Sequence, residues 1–227
     1  MKRMVIPELL DTDAGTPVEV RDSLADLRLV NRWFGGAATT EWMVERVVRR
    51  LNARTLSLLE VGAGSGDVPE TVRRHLEQRG VQLEFTLLDR VASHLNGHPR
   101  AVVGDALSLP FADSSFDVIS CGLFTHHLSP EELVQFANEA LRVSRQAVLI
   151  NDLIRHPLHL GLVYAGYPLY RSRLTRHDAP ASVRQAYTLE EMRELLRQTT
   201  ADEVEIHRHY LFRMGVTAWK PRRLPGV

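Results

Sequence analysis

The chain has 227 residues, of which 44% are hydrophobic and 25% are charged, a balance typical of one globular domain. Its 28 Lys and Arg residues equal its 28 Asp and Glu residues, so the overall charge gives no reason to expect a nucleic acid or an anionic membrane as partner. The single cysteine, Cys121, excludes an internal disulfide, and no apolar run is long enough to cross a bilayer, so we expect a cytoplasmic protein.

Two helices are predicted ahead of the first strand. Residues 1–17 contain prolines, a glycine and several carboxylates, which is typical of a loosely ordered lead-in. Over 18–34 the apolar residues recur at steps of three and four, which predicts a helix. A pair of glycines ends this helix, and we expect Thr39 or Thr40 to cap a second one that extends to Leu51.

Short apolar strands then alternate with amphipathic helices. We predict strands over 56–61, 81–88, 101–103, 116–120 and 147–150, and helices over 68–79 and 130–141. This alternation predicts an α/β fold: a Rossmann-like, seven-stranded, mostly parallel sheet with helices on both faces, two N-terminal helices and a cap inserted after the fifth strand. A helix capped by Thr188 and a strand pair over 204–209 and 211–219 are expected to complete the sheet.

A glycine-rich turn follows the first strand directly. Gly62, Gly64 and Gly66 stand at alternate positions, and a helix is predicted to begin immediately after them. Glycines suit such a corner because the backbone turns sharply and a ligand can approach it without obstruction by a Cβ atom. The spacing contains no P-loop, and Asp67 stands where a dinucleotide-binding fingerprint has its third glycine, which disfavours a dehydrogenase. Taken alone, the glycines also fit a plain structural turn.

Acidic residues stand at the carboxyl ends of the first three strands. Glu60 precedes the glycines, Asp89 ends the second strand, and Asp105 follows the third. A carboxylate in the position of Asp89 reaches the ribose hydroxyls of a nucleotide in many α/β folds. Because parallel strands end at the same edge of a sheet, we expect these acids and Asp67 to face one crevice.

With these motifs the chain resembles the class I S-adenosylmethionine-dependent methyltransferases, in particular those that act on small molecules and in quinone biosynthesis. The matching segments are Glu60–Gly66, Leu88-Asp89, Gly104–Ala106, Leu109–Phe111, Phe116–Ile119, Leu123–Leu128 and Ala140–Val143. The resemblance covers roughly residues 55–152, and its motifs are specific to the superfamily but not to a substrate.

The resemblance implies S-adenosylmethionine as cofactor and S-adenosylhomocysteine (SAH) as product. The glycine loop is expected to hold the methionine part, Asp89 the ribose hydroxyls, and Asp105 with Ala106 the adenine. The residues expected to bind the cofactor are Glu60, Gly62, Ala63, Gly64, Gly66, Asp89, Arg90, Asp105 and Ala106.

We interpret the chain as a single methyltransferase domain of residues 1–227 with four segments. They are an N-terminal helical lid (1–52), a cofactor-binding core (53–152), a substrate cap (153–186) and a C-terminal helix with a strand pair (187–227). By analogy with relatives, Arg32 or Trp33 near the end of the first helix is expected to reach the cofactor.

Histidines near the predicted crevice are the candidate bases. Methyl transfer to a hydroxyl is helped by removal of its proton, for which the ordinary pKa of histidine is suited. His127 follows the fourth strand and His177 stands in the cap beside an acid, and Asp152 ends the fifth strand, so these three are the candidate catalytic residues. The candidates for contact with the substrate are His126, Tyr164, Tyr167 and Tyr170.

The pair Asn151-Asp152 also resembles the acid–amide pair of metal-dependent catechol-type methyltransferases. Those enzymes need a further acid at the end of the fourth strand, where this chain has Cys121-Gly122-Leu123. The match is incomplete, so we assign no metal ligand. Asp152 stays open as the base itself or as a residue that orients the substrate.

The sequence thus predicts a transferase that methylates a small molecule, first of all at a phenolic or quinol-type hydroxyl. Methylation at an aromatic or enolate carbon is the alternative reaction, and a catalytically silent cofactor-binding protein is the alternative outside the enzymes. We expect a small-molecule acceptor and no nucleic-acid partner, and the sequence leaves the oligomeric state open.

Overall fold

The computed structural model describes residues 1–10, 14–95 and 97–221. Its helices are α1 (Pro17–Trp33), α2 (Gly36–Leu51), α3 (Asp67–Glu77), α4 (Pro130–Val143), α5 (Pro157–Ala165), α6 (Arg173–Gln185) and α7 (Leu189–Leu196). Its strands are β1 (Thr55–Val61), β2 (Gln82–Asp89), β3 (Ala101–Val103), β4 (Phe116–Gly122), β5 (Ser144–Leu153), β6 (Glu203–His209) and β7 (Arg213–Trp219). Within these ranges no helix is both long and apolar enough to cross a membrane. Residues 11–13 of the predicted lead-in and 222–227 of the predicted C-terminal segment lie outside the described residues.

The seven strands form one sheet in the order β3-β2-β1-β4-β5-β7-β6. Neighbouring strands are parallel from β3 to β5, and β7 runs antiparallel to both β5 and β6. The predicted mostly parallel sheet is confirmed. The strand order reverses between β1 and β4, and in open sheets of this kind a crevice for ligands forms at that point, beyond the carboxyl ends of the strands.

Helices cover both faces of the sheet, because successive strand residues point to opposite faces and are apolar on both. On one face α2 packs over β5 and β7 and α3 packs over β2, where Met43 and Val72 are fully buried. On the other face α4 and α7 contribute Phe136 and Met192 to a second core. Since α2 belongs to the core, α1 is the part of the predicted helical lid that borders the crevice.

The start of α2 differs from the prediction. Its N-cap is Gly35, which has a left-handed backbone with φ of 79°. Thr39 and Thr40 lie inside the helix and are buried. Thr40 Oγ1 accepts a hydrogen bond of 2.9 Å from Asn151 Nδ2 in β5. The predicted threonine cap is wrong because glycine supplies the turn and the threonine serves a tertiary contact instead.

Residues 1–10 form no helix or strand, yet hydrogen bonds connect them to the turn after β4 and to the cap. The Arg3 guanidinium donates a hydrogen bond of 3.0 Å to the carbonyl oxygen of His126. The backbone N–H of Leu9 donates one of 2.8 Å to the Asp178 carboxylate in α6. The prediction of a loosely ordered lead-in is wrong for this stretch, because composition reports the lack of periodicity and not the tertiary partners of the backbone.

Candidate active site

A cleft of about 740 Å³ opens at the carboxyl ends of the parallel strands. The glycine loop after β1 and the ends of β2 and β3 line one end of it. Residues 5–8, the turn after β4 and helices α5 and α6 line the other end, and α1 borders the cleft along its side. We call these two parts the cofactor end and the acceptor end. The predicted crevice therefore exists, and it extends beyond the residues of the cofactor motifs to residues 5–8 and helices α5 and α6.

The glycine loop adopts the backbone that its sequence predicts. Gly62, Gly64 and Gly66 have φ values of 64°, 51° and 73°, in the left-handed region that side chains disfavour. A Cβ atom on Gly66 would lie 2.7 Å from Leu87 Cδ1, so this glycine lets α3 begin directly against β2. A Cβ atom on Gly64 would meet nothing within 4 Å, and Gly64 lines the cleft together with Gly62 and Ala63. The loop thus leaves open space for a ligand.

Asp89 connects the glycine loop to β2. Its Oδ2 accepts a hydrogen bond of 2.9 Å from the Gly64 N–H, and its Oδ1 accepts one of 2.9 Å from the Val91 N–H. Asp105 is exposed at the edge of the cleft, where its Oδ1 accepts a hydrogen bond of 2.9 Å from the Leu107 N–H. The further residues predicted to bind the cofactor that line the cleft are Glu60, Arg90 and Ala106.

Glu60 is the buried acid of the cofactor end. Its side chain is only 3% exposed, and its Oε2 has no hydrogen-bond partner among the described residues. Burial raises the pKa of the Glu60 carboxyl to about 7. A buried carboxyl oxygen without a partner costs free energy in the protein alone, so this position favours a ligand that carries a positive or hydrogen-bond-donating group.

At the acceptor end, His126 and Asp152 form a buried pair. His126 Nδ1 lies 2.7 Å from Asp152 Oδ1, and Thr125 Oγ1 donates a hydrogen bond of 2.6 Å to Asp152 Oδ2. Burial disfavours both charges, but their mutual attraction and hydrogen bonds outweigh it. The pKa of His126 is therefore raised to about 10, and the pKa of Asp152 lies below its ordinary value. The pair is charged near neutral pH.

Glu8 reaches the same point from the N-terminal segment. Its Oε1 lies 3.5 Å from His126 Nε2, on the side of the ring opposite Asp152. Ser182 Oγ and Gln185 Nε2, both on α6, donate hydrogen bonds of 2.6 and 2.7 Å to Glu8 Oε1. Burial raises the pKa of Glu8, but the contacts with His126 and Ser182 outweigh it and leave the pKa below its ordinary value. His126 thus lies between two carboxylates.

Of the other residues predicted to contact or deprotonate the acceptor, some line the cleft and others lie outside it. His127 and Tyr170 line the cleft, and the His127 ring packs against the His126 ring with 4.1 Å between centroids and an interplanar angle of 34°. Tyr164 and Tyr167 are not among the residues that line it, and Tyr164 Oη accepts a hydrogen bond from Arg184 on the outside of the cap.

His177 is not brought to the cleft. Its side chain is 43% exposed, and its Nδ1 lies 2.8 Å from Asp178 Oδ1. Adjacent residues of a helix point in different directions, and it is Asp178 that faces the N-terminal segment and the cleft. Similarly, Arg28 and Asn31 of α1 line the cleft where Arg32 or Trp33 was expected, and Trp33 is 66% exposed.

Glu8 and the buried side of the cap are not among the residues that the sequence predicts for the site. Glu8 is 118 positions away from His126 along the chain, and nothing in the surrounding sequence distinguishes it from the other acids of the N-terminal segment. His159 of α5 is buried, stacks on Phe212 and lines the cleft. No local spacing predicts either position, because both depend on how the cap folds back over the sheet.

The part of the chain that builds the cofactor end is similar to known methyltransferases. Residues 59–150 match the family described as methyltransferase domain. A demethylmenaquinone methyltransferase of Thermotoga maritima is 33% identical over 95 residues, which cover 40% of this chain and 41% of that protein. The ubiquinone/menaquinone biosynthesis C-methyltransferase UbiE of Dinoroseobacter shibae is 34% identical over 118 residues, which cover 48% of this chain and 43% of that protein. The chain therefore spans about two fifths of the length of these curated relatives.

A solved structure extends the likeness to the whole fold. The plantazolicin methyltransferase BpumL, determined in complex with SAH, superposes with a TM-score of 0.70 over 95% of each chain, at 15% sequence identity. At 15% identity the superposition shows a shared fold and no more. The matched methyltransferase domain covers the glycine loop and the acids of β1 and β2. Residues 59–150 match a methyltransferase domain, and in strand order and glycine loop the chain is similar to the class I S-adenosylmethionine-dependent methyltransferases.

Proposed function

We propose that this chain transfers a methyl group from S-adenosylmethionine to a small aromatic acceptor with a phenolic or quinol-type hydroxyl. The observation that carries the proposal is the continuity of the cleft: one space connects the glycine loop and Asp89 with His126 and His127. Methyl transfer is an in-line displacement, so donor and acceptor have to lie side by side in a space that excludes water.

The cofactor end has the groups that S-adenosylmethionine requires. The unpartnered Oε2 of Glu60 suits the amino group of its methionine part. Asp89, which already orders the Gly64 N–H, is placed to accept hydrogen bonds from ribose hydroxyls. The open space at Gly64 admits a ligand close to the backbone. When bound, the cofactor supplies a methyl group on a positively charged sulfur, which departs with the bonding electron pair as SAH.

The acceptor end has the groups that a hydroxylated ring requires. Apolar side chains of α1 and α5, such as Leu27 and Val163, line it beside the polar His126 and His127. A new bond to the methyl carbon forms as the acceptor loses its hydroxyl proton. We assign that proton to the His127 ring, because His126 is already protonated by its two carboxylate neighbours near neutral pH.

The position of methylation has two candidates. The resemblance drawn from the sequence favours the hydroxyl oxygen. One of the curated relatives is named a C-methyltransferase, which favours methylation at carbon. The two reactions share the deprotonation step, since a phenolate is nucleophilic at both oxygen and carbon.

The proposal is tested first by calorimetric titration of the protein with S-adenosylmethionine and SAH, followed by a panel of phenols, catechols and quinols. We expect binding of both cofactor forms and methylation of at least one class of acceptor. Proton NMR of the product distinguishes a methoxy group from a ring methyl group. A folded protein that binds neither cofactor form contradicts the proposal, and one that binds both but methylates no acceptor favours the catalytically silent alternative.

A further inference from the structure

Three side chains of metal-ligating type meet at the acceptor end of the cleft. Glu8, His126 and His127 each offer one ligand atom, and the three atoms lie within 4.8 Å of one another. They come from two separate parts of the chain, the N-terminal segment and the turn after β4. All three residues line the cleft, so the point between them is accessible to a small ligand.

The spacing fits a coordinated ion better than a direct contact. Glu8 Oε1 and His126 Nε2 are 3.5 Å apart, which is long for a charge-assisted hydrogen bond of about 2.7–2.9 Å. Two ligands of a tetrahedral zinc ion, each about 2.0–2.1 Å from the metal, lie about 3.3–3.5 Å apart. The ligand atom of the partly exposed His127 lies within 4.8 Å of the other two, close enough to supply the third ligand of such an ion.

The residues behind the cluster have the arrangement that supports metal ligands. His126 Nδ1 is directed at Asp152 Oδ1 at 2.7 Å, which leaves Nε2 as the atom that faces Glu8. A metal-ligating histidine almost always donates its other ring N–H to a carboxylate or carbonyl in this way. Glu8 is in turn oriented by Ser182 and Gln185. The two carboxylates that flank His126 favour any cation at Nε2, a metal ion as well as a proton.

We propose that Glu8, His126 and His127 bind one divalent transition-metal ion, zinc by the chemistry of two imidazoles and one carboxylate, with Asp152 orienting His126. The fourth position faces the cleft and is open to the oxygen of an acceptor. A zinc-bound hydroxyl is more acidic than a free one, so the ion would lower the pKa of the acceptor hydroxyl and hold the resulting oxygen anion. With His127 bound to the ion, the acceptor proton would pass to solvent instead of to the His127 ring. The ion site stands on the geometry alone, whereas its use in methyl transfer rests on the proposed function.

The test is titration of chelator-treated full-length protein with Zn²⁺ by calorimetry and with Co²⁺ by visible absorption. We expect one Zn²⁺ per chain and Co²⁺ bands of a four- or five-coordinate site. Glu8→Gln and His127→Gln should each weaken zinc binding by more than about 100-fold, since even loss of an orienting partner costs about 10- to 100-fold. Asp152→Asn should fall in that lower range. His75→Gln is the matched control, because His75 also pairs with a carboxylate, Glu41 at 2.8 Å, but outside the cleft.

Two results would overturn the ion site: no stoichiometric zinc in the wild-type protein, or equal zinc affinity in Glu8→Gln, His127→Gln and wild type. Glu8 and His127 are chosen because His126 is buried against Asp152 and its replacement risks the fold. Titration of the zinc-free protein with S-adenosylmethionine separates the two proposals. Cofactor binding without zinc binding rejects the ion site alone, and zinc binding without cofactor binding rejects the proposed function alone.

Discussion

The two ends of the cleft differ in how the chain builds them. The cofactor end comes from one continuous stretch, residues 60–107, in which each functional residue ends a strand or lies in the turn after it. The acceptor end combines residues 5–8, the turn after β4 and helices α5 and α6. The first is specified by local chain geometry, and the second by long-range packing, which explains why sequence motifs report the cofactor and leave the acceptor open.

The largest change in stability is expected for a substitution of Glu60. Its pKa in the folded protein, about 7, exceeds its ordinary value of 4.5. The folded state binds the proton more tightly, so stability is lost as pH rises from 4.5 through 7. Glu60→Gln removes this loss. The free energy of unfolding of wild type relative to the variant should fall by roughly 3 kcal/mol between pH 4 and pH 8, measured by urea denaturation. A difference that does not change with pH contradicts the burial of an unpaired carboxyl at the cofactor end.

Asp89→Ala tests whether Asp89 contributes to cofactor binding, both directly and through the glycine loop that it holds in place. The substitution removes the acceptor for the Gly64 N–H and the proposed acceptor for ribose hydroxyls. Two hydrogen bonds to a charged group, at about 1.5 kcal/mol each, correspond to about 100-fold weaker binding of S-adenosylmethionine in calorimetry. Glu84→Ala is the control, because Glu84 lies on the same strand but pairs with Arg100 at the surface. Unchanged affinity in Asp89→Ala excludes this residue from the cofactor site.

Comparing Gly66→Ala, just before α3, with Gly80→Ala, just after it, distinguishes the cost of backbone strain from the cost of a packing clash. The two glycines have nearly equal φ values, 73° and 75°, so both variants carry a similar strain. A Cβ atom would lie 2.7 Å from Leu87 at Gly66 and would meet nothing within 4 Å at Gly80. We expect the free energy of unfolding of Gly66→Ala, measured by urea denaturation, to be about 2 kcal/mol lower than that of Gly80→Ala, because an overpacked site costs about that much. Equal stabilities would show that Leu87 can move aside.

The smallest change is expected for a substitution of Arg3, which should weaken binding of the acceptor and leave binding of the cofactor unchanged. Arg3 holds the segment that carries Glu8 by bonds to the carbonyls of Gln185 and His126. Arg3→Ala should raise the KM for the acceptor about 10-fold, the equivalent of one lost hydrogen bond, with cofactor affinity unchanged. Lys2→Ala is the control, since Lys2 is exposed and carries the same charge. An equal fall in cofactor affinity would show that the two ends do not act separately.

Much of the fold followed from local sequence patterns. The alternation of strands and helices predicted the sheet, and Thr188 caps α7 as expected. The failures have a common cause. Thr40 was expected to cap α2 and instead contacts Asn151, and His177 was expected at the site and instead lies at the surface. Both depend on which neighbours the folded chain brings close, and one-dimensional spacing carries no information about that.

The sequence by itself determined the strand–turn–helix units and therefore the cofactor end, because a glycine loop between a buried strand and a helix has few conformations open to it. Only the tertiary structure decided the acceptor end. There Glu8 meets His126 across 118 positions of chain, and Asp152 lies on the far side of the same ring. The ionisation of His126, and any ion held at its Nε2, depend on both carboxylates together, and that encounter exists only once the N-terminal segment and the cap have folded over the sheet.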